Sequence, residues 1–358
     1  MPIHDVGYRT WKGKLTSTWT RWWTISEAGL QAASKSRWVR RILLTSWFPV
    51  IYFAILLFAF EQFQGQEASE LLRMDVVRGN VPVEVEEFAD EVVAENPELQ
   101  SAAQMGENEL RRLAIANHPM LRFLPNGNAL AGAIDTGDEG TMRNTVWNWL
   151  LATFLRYPQG MMTLMIVGLV VPPLISRDVR SRAFLLYYSR PITRFEYLLG
   201  KLVIPCGLLT IVTMLPGLVL YMFGVMLSPD LTVIFDTWDT PLRVVLATLV
   251  GIVPVSIIAL LFSSMSQESR FAGFAWFTVW GLGAVVWWVI YISNFDGENP
   301  FESNWSLVSL YSTIGKVQSW VFGLESLQRA LPSMIVLGSI TVLSSMMLYR
   351  RVSAPVRI

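Results

Sequence analysis

SRDVRSRAFLLYYSRPITRFEYLLGK, residues 176–201, is the long charged connection between two strongly apolar runs. Its charge is mostly positive: Arg177, Arg180, Arg182, Arg190, Arg194 and Lys201 stand against Asp178 and Glu196. Ser176 is placed to cap a helix whose first turn carries Asp178, near the positive end of the helix dipole. Asp178 also stands four residues before Arg182, a pairing worth about 0.3–0.5 kcal/mol on an exposed face. Pro191 then ends that helix, because it removes an N–H and disfavours helical geometry at Arg190. Thr193 and Glu196 stand in capping-box spacing, so a second helix starts there and runs into the next apolar stretch. The expected element is a short helix, a sharp break and a capped second helix at a membrane surface.

Composition supplies the membrane. Hydrophobic residues make up 53% of the 358 residues and charged ones 16%, with a mean hydropathy of +0.42, too apolar for an ordinary soluble chain. The single cysteine, Cys206, excludes an intrachain disulfide, and two histidines, His4 and His118, offer no metal cluster. Fifteen tryptophans gather near the ends of apolar runs, where interfacial residues belong.

Residues 1–41 hold eight Lys or Arg and only two acids. Trp11, Leu15, Trp19 and Trp22 or Trp23 fall at helical spacing with basic residues between them, which suits a helix in the headgroup region or a plain basic tail. Residues 25–41 read as an elbow helix leading into span one, 42–60, whose nineteen uncharged residues cross a hydrocarbon core of about 30 Å. Residues 61–146 form the one sizeable polar region, with sixteen acids against six Arg. In it, 83–94 and 109–116 read as short amphipathic helices, 125–128 and 135–140 as turns. Glu86, Glu87, Asp90 and Glu91 read as a solvated helix face rather than a cation site.

Residues 147–175 carry an interfacial helix and span two, separated by Arg156-Tyr157-Pro158. Two readings of Arg156 stand: it snorkels to the outer headgroups, or it is a functional charge at membrane depth. Spans three to six follow at 202–227, 244–262, 271–292 and 331–348, with an external loop at 294–330 and a tail at 349–358. The N-terminal segment, the 176–201 and 263–270 connections and the tail carry eighteen Lys or Arg, the opposite side eight. The basic side is therefore cytoplasmic, with both termini, and the acidic domain is external. The fold expected is an all-α polytopic membrane protein of six transmembrane helices, with an N-terminal elbow helix and an external insert between spans one and two.

Ser176-Arg177-Asp178, Ser189-Arg190-Pro191-Ile192-Thr193-Arg194, Glu196-Tyr197 and Gly200-Lys201 resemble the loop of ABC-2 type permeases, the membrane subunits of exporters. In that family a cytoplasmic coupling helix between spans two and three docks into a cleft on a separate ATPase. The resemblance implies that Arg177, Asp178, Arg180, Arg182, Tyr187, Arg190, Pro191 and Arg194 form the ATPase contact, with Thr193 and Glu196 as the cap that joins it to span three. It also implies an ABC ATPase partner that binds ATP and magnesium, a second permease subunit, identical or related, and a bacterial inner membrane. No cofactor and no nucleic-acid partner is expected for this chain.

An ATPase site within the chain is excluded: Gly7 to Gly13-Lys14 is one residue too long for a phosphate-binding loop and is followed by Leu15. No catalytic constellation of a membrane enzyme appears. The spans hold no recurrent Asp or Glu, which favours an amphipathic substrate over a cation. A permease-like scaffold or mechanical regulator without a transported substrate is the alternative.

Overall fold

The computed structural model describes residues 20–64, 125–136, 139–183, 192–228, 231–293 and 304–353, and among them every regular element is helical. The segments expected as helices around Trp11 and at 83–94 and 109–116 lie outside the described residues. Six helical stretches are long and apolar enough to cross a membrane: Arg37–Gln62, Gly140–Arg180, Arg194–Leu227, Thr240–Met265, Ser269–Ile290 and Leu327–Ser353.

Helix α1 (Arg21–Ser34) precedes span one, which is built from α2 (Arg37–Thr45) and α3 (Phe48–Gln64). After α4 (Gly127–Thr136), span two is a chain of three helices, α5 (Glu139–Arg156), α6 (Pro158–Val170) and α7 (Pro172–Arg180). Each break falls before a proline at a first helical position, where the missing N–H costs least. Asn126, in the turn before α4, has φ +58°, the left-handed geometry that asparagine tolerates.

Span three joins α8 (Arg194–Leu209) to α9 (Leu215–Leu227) through one π-helical turn, Thr210–Met214. Pro216 explains the turn: it cannot bond to Val212, its ring crowds that carbonyl, and a widened turn relieves the clash. The short α10 (Val233–Asp236) leads to α11 (Thr240–Met265), span four, the most buried of the six. Span five is α12 (Ser269–Ser293), whose apolar side chains face outward almost throughout, and span six is α14 (Leu327–Ser353).

The stretch before Arg156, expected as an interfacial helix, is α5, in which Trp147, Leu151 and Phe154 are fully buried and pack with Val50, Phe53 and Leu57 of span one. The 294–330 region, expected as an external loop, is partly helical. It contains α13 (Leu310–Val321), in which Ser312 to Val317 are all buried against α11 and α14. Its serines, threonine and Lys316 lower its hydropathy, and burial among helices rather than lipid is what tolerates them.

Two apolar clusters fill the bundle. One, towards the 176–201 connection, includes Ile166, Ile175, Tyr197, Ile204, Val255, Leu260 and Trp276. The other, towards the acidic region, includes Leu57, Trp147, Leu151, Phe154, Leu220 and Phe322. Beyond the second cluster a polar network ties the ends of spans one to four. The Glu61 carboxylate, fully buried, accepts from Trp147 Nε1 (2.7 Å) and Ser228 Oγ (2.9 Å) and lies 3.5 Å from Arg143. Arg143 continues to Asp236 (2.9 Å), and Asn144 donates to the Asp236 carbonyl and the Asp239 carboxylate.

Candidate functional site

The charged connection begins as the last turns of span two. Pro172 and Pro173 start α7, and Ser176 lies inside it, donating its hydroxyl to the Pro172 carbonyl at 2.7 Å. Ser176 is therefore not the expected cap. The Ser263 hydroxyl of α11 donates to the same carbonyl (2.6 Å) and accepts from the N–H groups of Ile175 (3.0 Å) and Ser176 (3.2 Å). This stitches the start of α7 to the most buried span.

The helix also stops earlier than Pro191 would stop it. Arg182 takes φ +53°, the Ala183 N–H bonds the Asp178 carbonyl (3.0 Å) and the Arg182 N–H bonds the Val179 carbonyl (3.3 Å). That is a Schellman ending with arginine in the left-handed position where glycine is usual. A side chain there costs about 1–2 kcal/mol. No stop signal in the sequence marks it. Tyr187, Arg190 and Pro191 lie outside the described residues.

Because Arg182 leaves the helical path, Asp178 does not follow the expected spacing rule. Its carboxylate turns inward, 2.8 Å from Lys201 Nζ, and accepts from the Tyr197 hydroxyl at 2.7 Å. Lys201 donates further to the Leu174 carbonyl (2.8 Å) and lies over the Tyr197 ring. The Asp178 and Lys201 side chains are only 15% and 10% exposed, so this pair braces α7 against α8 beneath the surface. Asp178 is thus placed as a positioning residue.

The capping box forms as its spacing predicts. The Thr193 N–H donates to Glu196 Oε2 (2.7 Å), and the Glu196 N–H donates to Thr193 Oγ1 (3.2 Å). Arg194 and Phe195 follow it, exposed, and Phe195 is 66% accessible. Arg177, Arg180 and Arg182 are exposed on the other half of the connection, and Arg180 reaches Glu268 in the next turn at 3.0 Å. The surface is thus four arginines and a phenylalanine above a buried ion pair. Large aromatics and arginine dominate the energetics of protein interfaces.

Helix α1 buttresses the second half. The Ser26 hydroxyl donates to the Gly200 carbonyl (2.9 Å), and a Cβ added at Gly200 would come 2.8 Å from the Trp22 carbonyl and 2.9 Å from Ile25 Cβ. Backbone blocks that space, and small residues are what permit two membrane helices to approach so closely. Gly200→Leu is therefore expected to cost about 1–3 kcal/mol by overpacking. It should also expose the α1–α8 seam, read as faster labelling of a cysteine introduced at Ser26 in an otherwise cysteine-free chain. Unchanged labelling would show that α1 is not docked there.

The sequence left two readings of Arg156, and the structure places other polar residues around it. Arg156 ends α5 in the interior, with its guanidinium carbon 5.8 Å from the Tyr157 ring and 5.9 Å from the Tyr311 ring, and the Tyr311 hydroxyl donates to the Arg156 carbonyl (2.7 Å). It sits against Gly315 of α13, where any Cβ would meet the guanidinium at 2.8 Å. It lines a cavity with Thr248 and Gly251, residues in the middle of α11. Arg156 is therefore level with the middle of span four rather than with its end. Among the described residues no group of three or more His, Cys, Asp or Glu could hold a metal ion.

A family model described as ABC-2 family transporter protein matches residues 23–350. Among curated proteins and among solved structures, nothing matches the chain.

Proposed function

The chain belongs to the ABC-2 transporter family, and from that premise we propose that it is the permease subunit of an ATP-driven exporter whose basic surface at 176–201 docks a separate ATPase. One observation carries this reading: Arg182 is held in a left-handed conformation on an exposed basic surface that is braced from below by Asp178 and Lys201. Rigid continuity with spans two and three is what a coupling element needs. ATP closes a pair of ATPases, their clefts carry two such surfaces together, and spans two and three pass the movement to a pathway between two permease subunits. In this arrangement the arginine-rich side and both termini are cytoplasmic, the bilayer is the inner membrane, and α1 serves as the elbow helix.

The same strain supplies the test. Arg182→Gly relieves the left-handed backbone, so the fold should be unharmed or more stable, by up to about 1 kcal/mol. Combined with Arg177→Ala and Arg180→Ala, it should nevertheless reduce at least tenfold the ABC ATPase recovered with the chain from native membranes. If no ATPase accompanies the intact chain, or if the triple variant retains it fully, the docking surface is elsewhere or the chain is a scaffold.

A further inference from the structure

The Arg156 cavity lies where the two apolar clusters meet. On span two, Leu155 belongs to one cluster and Ile166 to the other; on span four the division falls between Ala247 and Ile252, on span three between Leu220 and Val212. Between them is a cavity of about 50 Å³, several times the ~10–15 Å³ that one water needs. Two helical irregularities border it: the break at Tyr157 after Arg156, and the π-turn that carries Thr213. Irregular backbone inside a membrane protein is tolerated where it lines a cavity, and π-turns gather at functional sites.

Most of the lining surface is apolar, and its charge has one sign. It holds one cation, Arg156, and no carboxylate. Thr213 and Thr248 donate their hydroxyls to the carbonyls of Leu209 and Val244, Tyr311 donates to the Arg156 carbonyl, and the Gln318 amide donates to the Ala247 carbonyl. Those donors are turned to backbone. By contrast Trp280, also in the lining, has a buried indole N–H without a hydrogen-bond acceptor. Indole is a donor only, and guanidinium offers five N–H donors and no acceptor. Arg156 and the Trp280 indole N–H, lining one cavity in the middle of the bundle, suit a ligand that brings acceptor oxygens and negative charge.

We propose that this cavity binds an oxyanion, a phosphate or carboxylate group, with Arg156 and Trp280 as its recognition residues. The inference rests on the transporter reading and gives it a substrate class: the anion is the head of an amphipathic molecule whose tail lies along the apolar clusters, or a small free anion. The Tyr157 and Tyr311 rings both lie within about 6 Å of the guanidinium carbon and help to hold it in place.

The test is equilibrium binding to the purified full chain in nanodiscs of zwitterionic lipid, without ATPase or nucleotide, read by tryptophan fluorescence and by thermal shift. Probes are decyl phosphate, inorganic phosphate and dodecyltrimethylammonium. Decyl phosphate should bind saturably, and the cationic amphiphile should not. Arg156→Gln should weaken decyl phosphate at least tenfold, with Arg156→Lys intermediate. Trp280→Phe keeps the ring while deleting the N–H, and should weaken binding about threefold to tenfold even if Arg156→Gln fails to fold. Inorganic phosphate binding as tightly as decyl phosphate identifies a small-anion site; a clear preference for decyl phosphate identifies an amphiphile's head group. The proposal is overturned if neither anion binds, if the cation binds equally, or if Trp280→Phe and a folded Arg156 variant bind as the intact chain does. Loss of anion binding with ATPase recovery intact would sink this site alone and leave the coupling reading standing.

Discussion

Asp178→Leu is expected to destabilise the folded chain by about 3 kcal/mol, the lower end for breaking a buried ion pair, because the two side chains stay 15% and 10% exposed. Lys201 would be left with the Leu174 carbonyl and the face of Tyr197, neither of which neutralises an ammonium. Lys201→Met should cost a similar amount for the mirrored reason, a carboxylate left with only the Tyr197 hydroxyl. Joining Asp178→Leu to Lys201→Met removes both charges together, so the double variant should be more stable than either single change. Only the Tyr197 hydroxyl, which loses an acceptor, and the Leu174 carbonyl, which loses a donor, oppose full recovery. Chemical unfolding in detergent, analysed as a double-mutant cycle, reads the coupling directly. Strict additivity would mean that Asp178 and Lys201 act separately, and the brace beneath the arginine surface would have to be abandoned. Because the brace holds α7 to α8, both single variants should also recover less ATPase than the intact chain, although neither residue is on the surface proposed to dock it.

That brace shows what the sequence could and could not disclose. The six long apolar stretches were legible because runs such as 42–60 and 244–262 satisfy a length criterion without reference to anything else in the chain. The capping box was legible for the same reason, since Thr193 and Glu196 are three residues apart and complete the motif by themselves. Ser176 carried the same kind of signal and misled, because its chemistry as a cap competes with bonding back to the Pro172 carbonyl inside a helix. The pairing of Asp178 with Lys201 depends on how spans two and three pack, and no local rule chooses it over the nearer Arg182. The Schellman ending was hidden by the residue that occupies it, since an arginine gives no hint of φ +53°. Helix α13 was hidden by its composition: Ser312, Thr313, Gly315 and Lys316 read as a polar loop, and only contact with α11 and α14 makes that composition buried. The cavity followed the same logic, for Arg156 gains its meaning from Thr248, Trp280 and Tyr311, which reach it from three other helices.

At the opposite end of the bundle, Glu61→Ala should be the most damaging single substitution in the polar network, by about 3–5 kcal/mol. The residue is fully buried at the end of α3, and its two oxygens serve different spans: Oε1 takes the Trp147 indole N–H of span two, Oε2 the Ser228 hydroxyl at the end of span three. Alanine would strand a buried indole donor and remove the nearest negative charge from Arg143 on that side, although Asp236 would still hold the guanidinium at 2.9 Å. Glu61→Gln separates these contributions. Its carbonyl can keep the Trp147 bond and its amide can donate to Ser228, whose hydroxyl turns to accept, so the hydrogen bonds survive while the charge goes. Stability of the glutamine variant should therefore fall between the intact chain and the alanine variant, and salt should reduce the difference between glutamine and glutamate only slightly, because a buried pair is poorly screened. Near-ultraviolet circular dichroism of Trp147 follows the site itself: alanine should lose the ordered indole signal before global unfolding, glutamine should retain it. If alanine costs less than about 1 kcal/mol, the network is surface-like in its energetics, and the ends of spans one to four are held together by the Trp147, Leu151 and Phe154 cluster instead.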